Sequence, residues 1–466
     1  MGALALVALA PLAARAQSAA MATPKIDVER YTLPNGLTVL LSSDKSAPVV
    51  AVDLWYHVGS KNEKAGRTGF AHLFEHMMFQ GSEHVAEEQH FKLVEEAGGN
   101  INGSTNTDRT NYYEVLPSSE LETALWLESD RMGYLLPVLT QKKLDGQRDV
   151  VKNERRQRVD NQPFGSQFEI ISATLYPSTH PYSWPVIGSM ADLSAASLDD
   201  VKDFFRTYYA PNNATLAIVG DFDSAKAKAW VEKYFGSLPS GPAITRPTVP
   251  ATTLSANKRI VLEDAKARLP QISFVWPTVG NDNPDAFALR GLASVLTRDR
   301  TARLSKLLVY DRQLATNVLA YAGSDENAGE FYISVTPRPT ASLTQIETLV
   351  DSVVASMIAT APEARELQRS KNFVSVGTIT GLQSVLDKAE QLLDGQTYYG
   401  DPRHFVRELD EFRSLTPEDI HRVAQKYLSG GHIVLSMVPA GKTDLIANPQ
   451  LPSTNVTPGA AAPSGK

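Results

Sequence analysis

Trp55-Tyr56-His57-Val58-Gly59 and Trp276-Pro277-Thr278-Val279-Gly280 are two copies of one pattern, and their separation organises the chain. Each follows a run of strand character, Val49 to Leu54 and Gln271 to Val275, and each precedes a helical pattern. The offset, 276 minus 55, is 221. A second match runs from Asp200-Val201 through Tyr208 into Ala214 to Val219, against Asp419-Ile420 through Tyr427 into Ile433 to Val438. There the offset, 419 minus 200, is 219. Near-equal offsets at both ends of a long block predict a tandem pair of homologous domains, over 25–238 and 252–445. Between them 239–251, dense in Pro and Gly, reads as an extended linker. The stretch 446–466, rich in Ala, Pro, Gly, Ser and Thr, reads as a disordered tail.

Within the first half, Thr38 to Leu41, Val49 to Tyr56 and Asn111 to Leu116 read as strands, and Glu120 to Tyr134 and Gln141 to Val159 as helices. Ser197, ahead of Leu198-Asp-Asp, is a candidate N-cap for a further helix. This alternation predicts an α+β fold in which each domain is a mixed β-sheet packed with helices.

Composition narrows the function class. Hydrophobic residues at 42% and charged residues at 21% are the proportions of a soluble globular protein, and 466 residues suffice for more than one core. The net charge is −7 with no Lys/Arg block, which argues against nucleic acid as a partner. No stretch after the first residues reaches the ~18 apolar residues of a membrane span. Ala3 to Ala14 are nearly all Ala, Leu or Val, and Ala14-Arg15-Ala16 fits a small-x-small cleavage site, so 1–16 reads as a bacterial signal peptide. The expected location is periplasmic or secreted. The absence of Cys excludes disulfides and thiolate metal sites.

The chemistry concentrates in Gly69-Phe-Ala-His72-Leu-Phe-Glu75-His76-Met-Met-Phe79, an H-x-x-E-H motif. On a helix, Phe70, Leu73, Phe74, Met77 and Met78 form one apolar stripe, with His72, Glu75 and His76 opposite. His72 and His76, at i and i+4, can hold one ion between two imidazoles at roughly 2.0–2.1 Å. Glu75 is placed to address a water on that ion, whose pKa zinc lowers toward ~7. A catalytic zinc site needs a third protein ligand. The candidate is Glu154, on one helical stripe with Leu144, Gln147 and Val151. Two fates of that inward carboxylate stay open: a metal ligand, or an ion pair with a nearby Arg.

The segment Gly66 to Gly81 resembles the zinc signature of the pitrilysin/insulinase family, peptidase family M16. Gly98-Gly-Asn-Ile-Asn-Gly-Ser-Thr105, Asp108-Arg-Thr-Asn-Tyr-Tyr113, the Val150 to Arg156 helix, His180-Pro-Tyr182 and Tyr208 to Asp221 follow in the family's order. Length and layout are most similar to the shorter, processing-peptidase-like members. The resemblance implies a zinc metalloendopeptidase with one zinc per chain. It implies Glu154 as third ligand, Glu75 as general base, and Gln147 in a supporting place where many members carry Glu. It further implies a clam-like chamber, of which this chain forms half. There a peptide substrate would add as a strand along Asn100, Asn102, Gly103, Ser104 and Thr105, with Gly98 and Gly99 letting the backbone approach.

The second half departs from an active pattern. Ala293, Leu296 and Thr297 stand opposite His72, Glu75 and His76. Val309 and Thr316 stand where active assemblies carry an Arg and a Tyr that stabilise the tetrahedral intermediate. Loss of such donors costs ~10²–10³ in rate. A second, M16-like subunit supplying the pair in a heterodimer, in preference to a homodimer, is therefore expected; Tyr310 or Arg312 are the substitutes within the chain. The competing reading is a catalytically weak binding or assembly protein that keeps the fold.

Overall fold

The computed structural model describes residues 25–246 and 249–456, so the expected signal segment lies outside the described residues. The first half supplies β1 (Glu29–Thr32), β2 (Thr38–Ser43), β3 (Val49–Tyr56), β4 (Asn100–Thr105), β5 (Thr110–Pro117) and β6 (Ala214–Gly220). They form one sheet in the order β1-β2-β6-β3-β5-β4. The second half supplies β7 (Lys258–Asp264), β8 (Gln271–Thr278), β9 (Ala315–Ser324), β10 (Gly329–Pro337), β11 (Ile433–Pro439) and β12 (Thr454–Val456), in the order β12-β7-β11-β8-β10-β9. The sheets correspond strand for strand. Each has a parallel pair, β2 with β6 and β7 with β11, inside an otherwise antiparallel arrangement. Only the outermost strands differ: β1 runs antiparallel to β2, whereas β12 runs parallel to β7.

That last pairing corrects the expected boundary at 445. Thr454 to Val456 satisfy the open edge of β7, and Val456 is buried. The described part of the linker has no helix or strand, but it is tied down. Gly241 N donates to Asn212 Oδ1 at 2.7 Å, and Arg246 Nη1 donates to the His57 carbonyl at 3.1 Å.

The repeated sequence patterns have physical causes. A Cβ at Gly59 would overlap the carbonyl oxygens of Asn106 and Thr107, and one at Gly280 would overlap that of Glu326. In each domain the hairpin turn, between β4 and β5 or between β9 and β10, crosses the glycine at bare-backbone distance. The second match is a capping box used twice. Ser197 and Asp200 cap the helix Leu198–Tyr208, and Thr416 and Asp419 cap Pro417–Leu428.

Both sheets are covered on both faces. The helices of the first half include α1 (Phe70–Met77), α2 (Gln89–Glu96), α3 (Leu121–Tyr134) and α4 (Gln141–Arg155). Side chains from α1 to α4 share a core with one face of the first sheet. The opposite face, through Leu40, Ala51 and Val219, packs against Ala389, Leu392 and Leu393 of the second half. Reciprocally, Ile170, Ile171 and Leu175 of the first half cover Leu262, Leu435 and Met437 of the second sheet. This exchange of helices explains why β3 is apolar and buried almost without alternation.

Candidate metal centre

α1 begins at Gly69, whose φ of +87° and close approach to Gly188 exclude a side chain. Its first amides are held by a residue just ahead of the motif: Gly69 N and Ala71 N donate to the Glu63 carboxylate at 3.0 and 2.8 Å. Phe70, Leu73, Phe74 and Met77 then enter the core with Met78, as the expected stripe requires. The opposite face brings donor atoms of His72, Glu75 and His76 within 4.8 Å of one another. The two imidazole rings lie 4.8 Å apart between centroids.

α4 starts at the N-cap Thr140 and ends at Arg155, short of Val159. Residues Arg156–Asp160 continue as a π-helical turn, with Asn161 N donating to Arg156 O at 2.7 Å. Glu154, in the last α-helical turn, brings Oε2 to 3.6 Å from His72 Nε2 and 3.1 Å from His76 Nε2. Its Oε1 pairs with Arg158 Nη1 at 2.7 Å. One oxygen of Glu154 thus pairs with the Arg, while the other faces the two histidines.

The arrangement fits a zinc ion. Glu154 Oε2 is buried and meets no hydrogen-bond geometry, despite its closeness to His76. Atoms that face a common point without pairing off are what a cation satisfies. Bonds of 2.0–2.1 Å at a tetrahedral centre separate ligand atoms by roughly 3.4 Å. The observed 3.6 and 3.1 Å bracket that value. Burial, reinforced by His76, brings His72 down to about 4, which leaves its ring neutral with a lone pair to donate. The His76 side chain, with His72 and Arg158 adding to it, holds Glu154 below the usual carboxylate range.

Glu75 lies beside this set. Burial pushes its carboxyl up, against the hydrogen bond that Thr105 Oγ1 donates to Oε2 at 2.7 Å. Thr105 belongs to β4, the edge strand of the first sheet. Asn102, Gly103, Ser104 and Thr105 line one wall of a cleft of about 620 Å³, with His72, Glu75, His76 and Glu154 within it. A Cβ at Gly103 would stand 3.2 Å from Glu75 Cγ, so the absence of a side chain there lets Glu75 lie against the strand.

Other expected residues stand elsewhere. Asn100 is exposed at the start of β4, and Gln147 is half-buried; the cleft lining includes neither. Gly98 and Gly99 serve the turn from α2 into β4. Gly98 has φ +79°, and a Cβ at Gly99 would strike Leu116. Both glycines thus serve a helix-ending turn. Tyr310 is exposed beneath the Arg300 guanidinium, and neither Tyr310 nor Arg312 lines the cleft. In the second domain Ala293 and Leu296 are core, while Thr297 Oγ1 accepts from Ala320 N of β9 at 2.8 Å. Helix and edge strand close on each other there, where the first domain leaves a cleft.

Arg158, four residues beyond Glu154, is the nearby Arg that the sequence left open as its ion-pair partner. Two further contributors escaped the sequence reading. Glu63 stands outside any capping-box spacing. Arg155, which donates to Gly188 O at 2.9 Å and so ties α4 to the start of α1, depends on a contact between distant segments.

Comparison with known proteins agrees with this geometry. The family model described as Insulinase (Peptidase family M16) matches residues 38–183, and that described as Peptidase M16 inactive domain matches 195–374. The chain is 28% identical to the zinc protease PqqE of Helicobacter pylori over 405 residues, covering 86% of this chain and 90% of that protein. It is 26% identical to the mitochondrial-processing peptidase subunit beta of Lentinula edodes, covering 86% and 87%. The crystal structure of a protease from Helicobacter pylori superposes with a TM-score of 0.82 at 27% identity, covering 89% of this chain and all of that one. Two homologous six-stranded domains, the first carrying the zinc-type signature and the second without it, place the chain in peptidase family M16, the insulinase family.

Proposed function

We propose that the chain is a zinc-dependent endopeptidase acting on extended, unstructured peptides. In this reading His72, His76 and Glu154 hold one zinc ion and Glu75 is the general base. The observation that carries it is the convergence of His72 Nε2, His76 Nε2 and Glu154 Oε2 next to Glu75, on a cleft walled by an edge strand.

When bound, zinc supplies Lewis acidity that brings the pKa of water toward ~7 and polarises a carbonyl. Glu75 Oε2 is held by Thr105, which leaves Oε1 to take the proton of the attacking water and return it to the leaving amide nitrogen. Among the described residues β4 pairs only with β5, so its outer edge offers backbone groups to a peptide in strand conformation. A folded protein cannot present such a strand, which restricts substrates to flexible segments. Asn102 to Thr105 orient the peptide so that its scissile bond passes Glu75.

The donors for the developing oxyanion are not supplied by Val309 and Thr316, so a second M16-like subunit carrying an Arg/Tyr pair completes the site across a shared chamber. The apolar Ala3 to Ala14 run supports export to the periplasm or beyond. Among the described residues no helix is long and apolar enough to cross a membrane.

Glu75→Gln tests the mechanism. Peptide cleavage should fall by ~10²–10⁴ while zinc stays bound at one per chain. Unchanged turnover would remove Glu75 from its role, and a wild-type chain that binds zinc but cleaves no flexible peptide, with or without a partner, would favour the binding-protein reading.

A further inference from the structure

The second domain carries no zinc-type motif, yet one of its turns enters the first domain close to the metal helix. Glu326, in the turn between β9 and β10, contacts two first-domain side chains with the same oxygen: His57 Nε2 at 2.6 Å and the buried Lys61 ammonium. Its backbone N donates to Asp108 Oδ2 at 2.8 Å. Asp108 Oδ1 in turn receives Lys61 Nζ at 2.9 Å and the Tyr182 hydroxyl at 2.7 Å. That hydroxyl also accepts from Asn327 N at 3.0 Å.

These contacts pin the segment 57–63 between two hairpin turns. On the first-domain side, Ser60 N and Lys61 N donate to the carbonyls of Asn106 and Thr107 at 3.2 and 3.0 Å. On the other side stands Glu326. Two residues beyond Lys61 the buried Glu63 carboxylate takes the amides of Gly69 and Ala71, and His72 follows directly. Between the Lys61 backbone and the start of α1 there is one residue of chain and one side chain. A short, doubly anchored path of this kind transmits position, because a packed segment has few alternative arrangements.

We infer that Glu326 is a positioning residue for the metal centre: through Lys61 and Glu63 the domain without a metal motif sets the place of α1, and so of His72, Glu75 and His76. The inference rests on the metal-centre reading above and adds a role for the second domain within the same chain.

The test uses the full chain and reads zinc affinity by competition with a chromophoric chelator, alongside thermal unfolding of the metal-free protein. Glu326→Ala should weaken zinc binding by about tenfold, as loss of outer supports of a metal site does. Glu326→Gln, which keeps the shape and one acceptor, should fall between it and the wild type. The control is Lys388→Ala, which breaks another contact between the domains, the 2.5 Å ion pair with Asp44, away from segment 57–63. It should lower the unfolding temperature without changing zinc affinity. Should Glu326→Ala fold and bind zinc as the wild type does, or should Lys388→Ala weaken zinc equally, the positioning role is wrong while the metal reading stands. If Glu326→Ala does not fold, Glu326→Gln decides in the same way. A wild-type chain that binds no zinc would remove both.

Discussion

Arg158 and Glu154 form an ion pair across the π-helical turn, with Nη1 2.7 Å from Oε1, and this pair turns the other carboxylate oxygen toward His72 and His76. An i,i+4 pair on a solvated surface contributes little to stability, and the Arg158 side chain is 76% exposed. Its value lies in direction. A carboxylate clamped by one oxygen has less freedom to swing the other away.

Arg158→Ala should therefore leave the unfolding temperature almost unchanged but weaken zinc binding by about threefold, below the usual effect of a buried outer support because the pair is exposed. Chelator competition measures it, and Arg158→Lys should recover part of the loss.

Gly103→Ala tests the fit between Glu75 and the edge strand. The new Cβ would stand 3.2 Å from Glu75 Cγ and 3.1 Å from Asn111 O, tight enough to push Glu75 by a few tenths of an ångström. Misplaced catalytic groups are costly, so kcat should fall about tenfold while zinc content is retained. Steady-state kinetics on a flexible peptide, with metal analysis of the same sample, checks this.

The chain alone should cleave slowly. Addition of a partner that carries the Arg/Tyr pair should raise the rate by ~10²–10³, the scale of restored oxyanion donors. Full activity of the isolated chain in a single-species assay would overturn the need for a partner.

Acid stability depends on Asp285, which opens the helix Asp285–Thr297. Burial alone would raise its carboxyl, but Lys426, Tyr427 and Arg422 outweigh burial and bring it down to about 2. A folded-state value below the ordinary carboxylate range stabilises the fold fully above about pH 4, and that contribution is lost as pH falls toward 2. Asp285→Asn should thus cost about 1 kcal/mol at pH 7, discounted for the exposed cations, and the gap to the wild type should close between pH 4 and 2. Denaturant titrations across that range measure it.

Much of the fold and part of the site are legible in the amino-acid sequence. Helical periodicity separated Phe70, Leu73, Phe74 and Met77 from His72, Glu75 and His76, because both sets are dictated by neighbours three and four residues away. The repeated W-x-x-V-G pattern and the match of Asp200 through Val219 with Asp419 through Val438 revealed two homologous domains, because both mark local backbone needs that recur wherever the unit recurs. What local spacing does not encode is contact between distant segments. That Glu154 meets the histidines as well as an Arg depended on how α4 crosses α1, and that crossing is held by Arg155, Gly188 and Gly69. The short reach of Glu63 to the start of α1, the edge position of β4 and the entry of the Glu326 turn into the first domain were likewise decided only by tertiary structure. Sequence determined which side chains share a helix face; packing decided which of them face a common point.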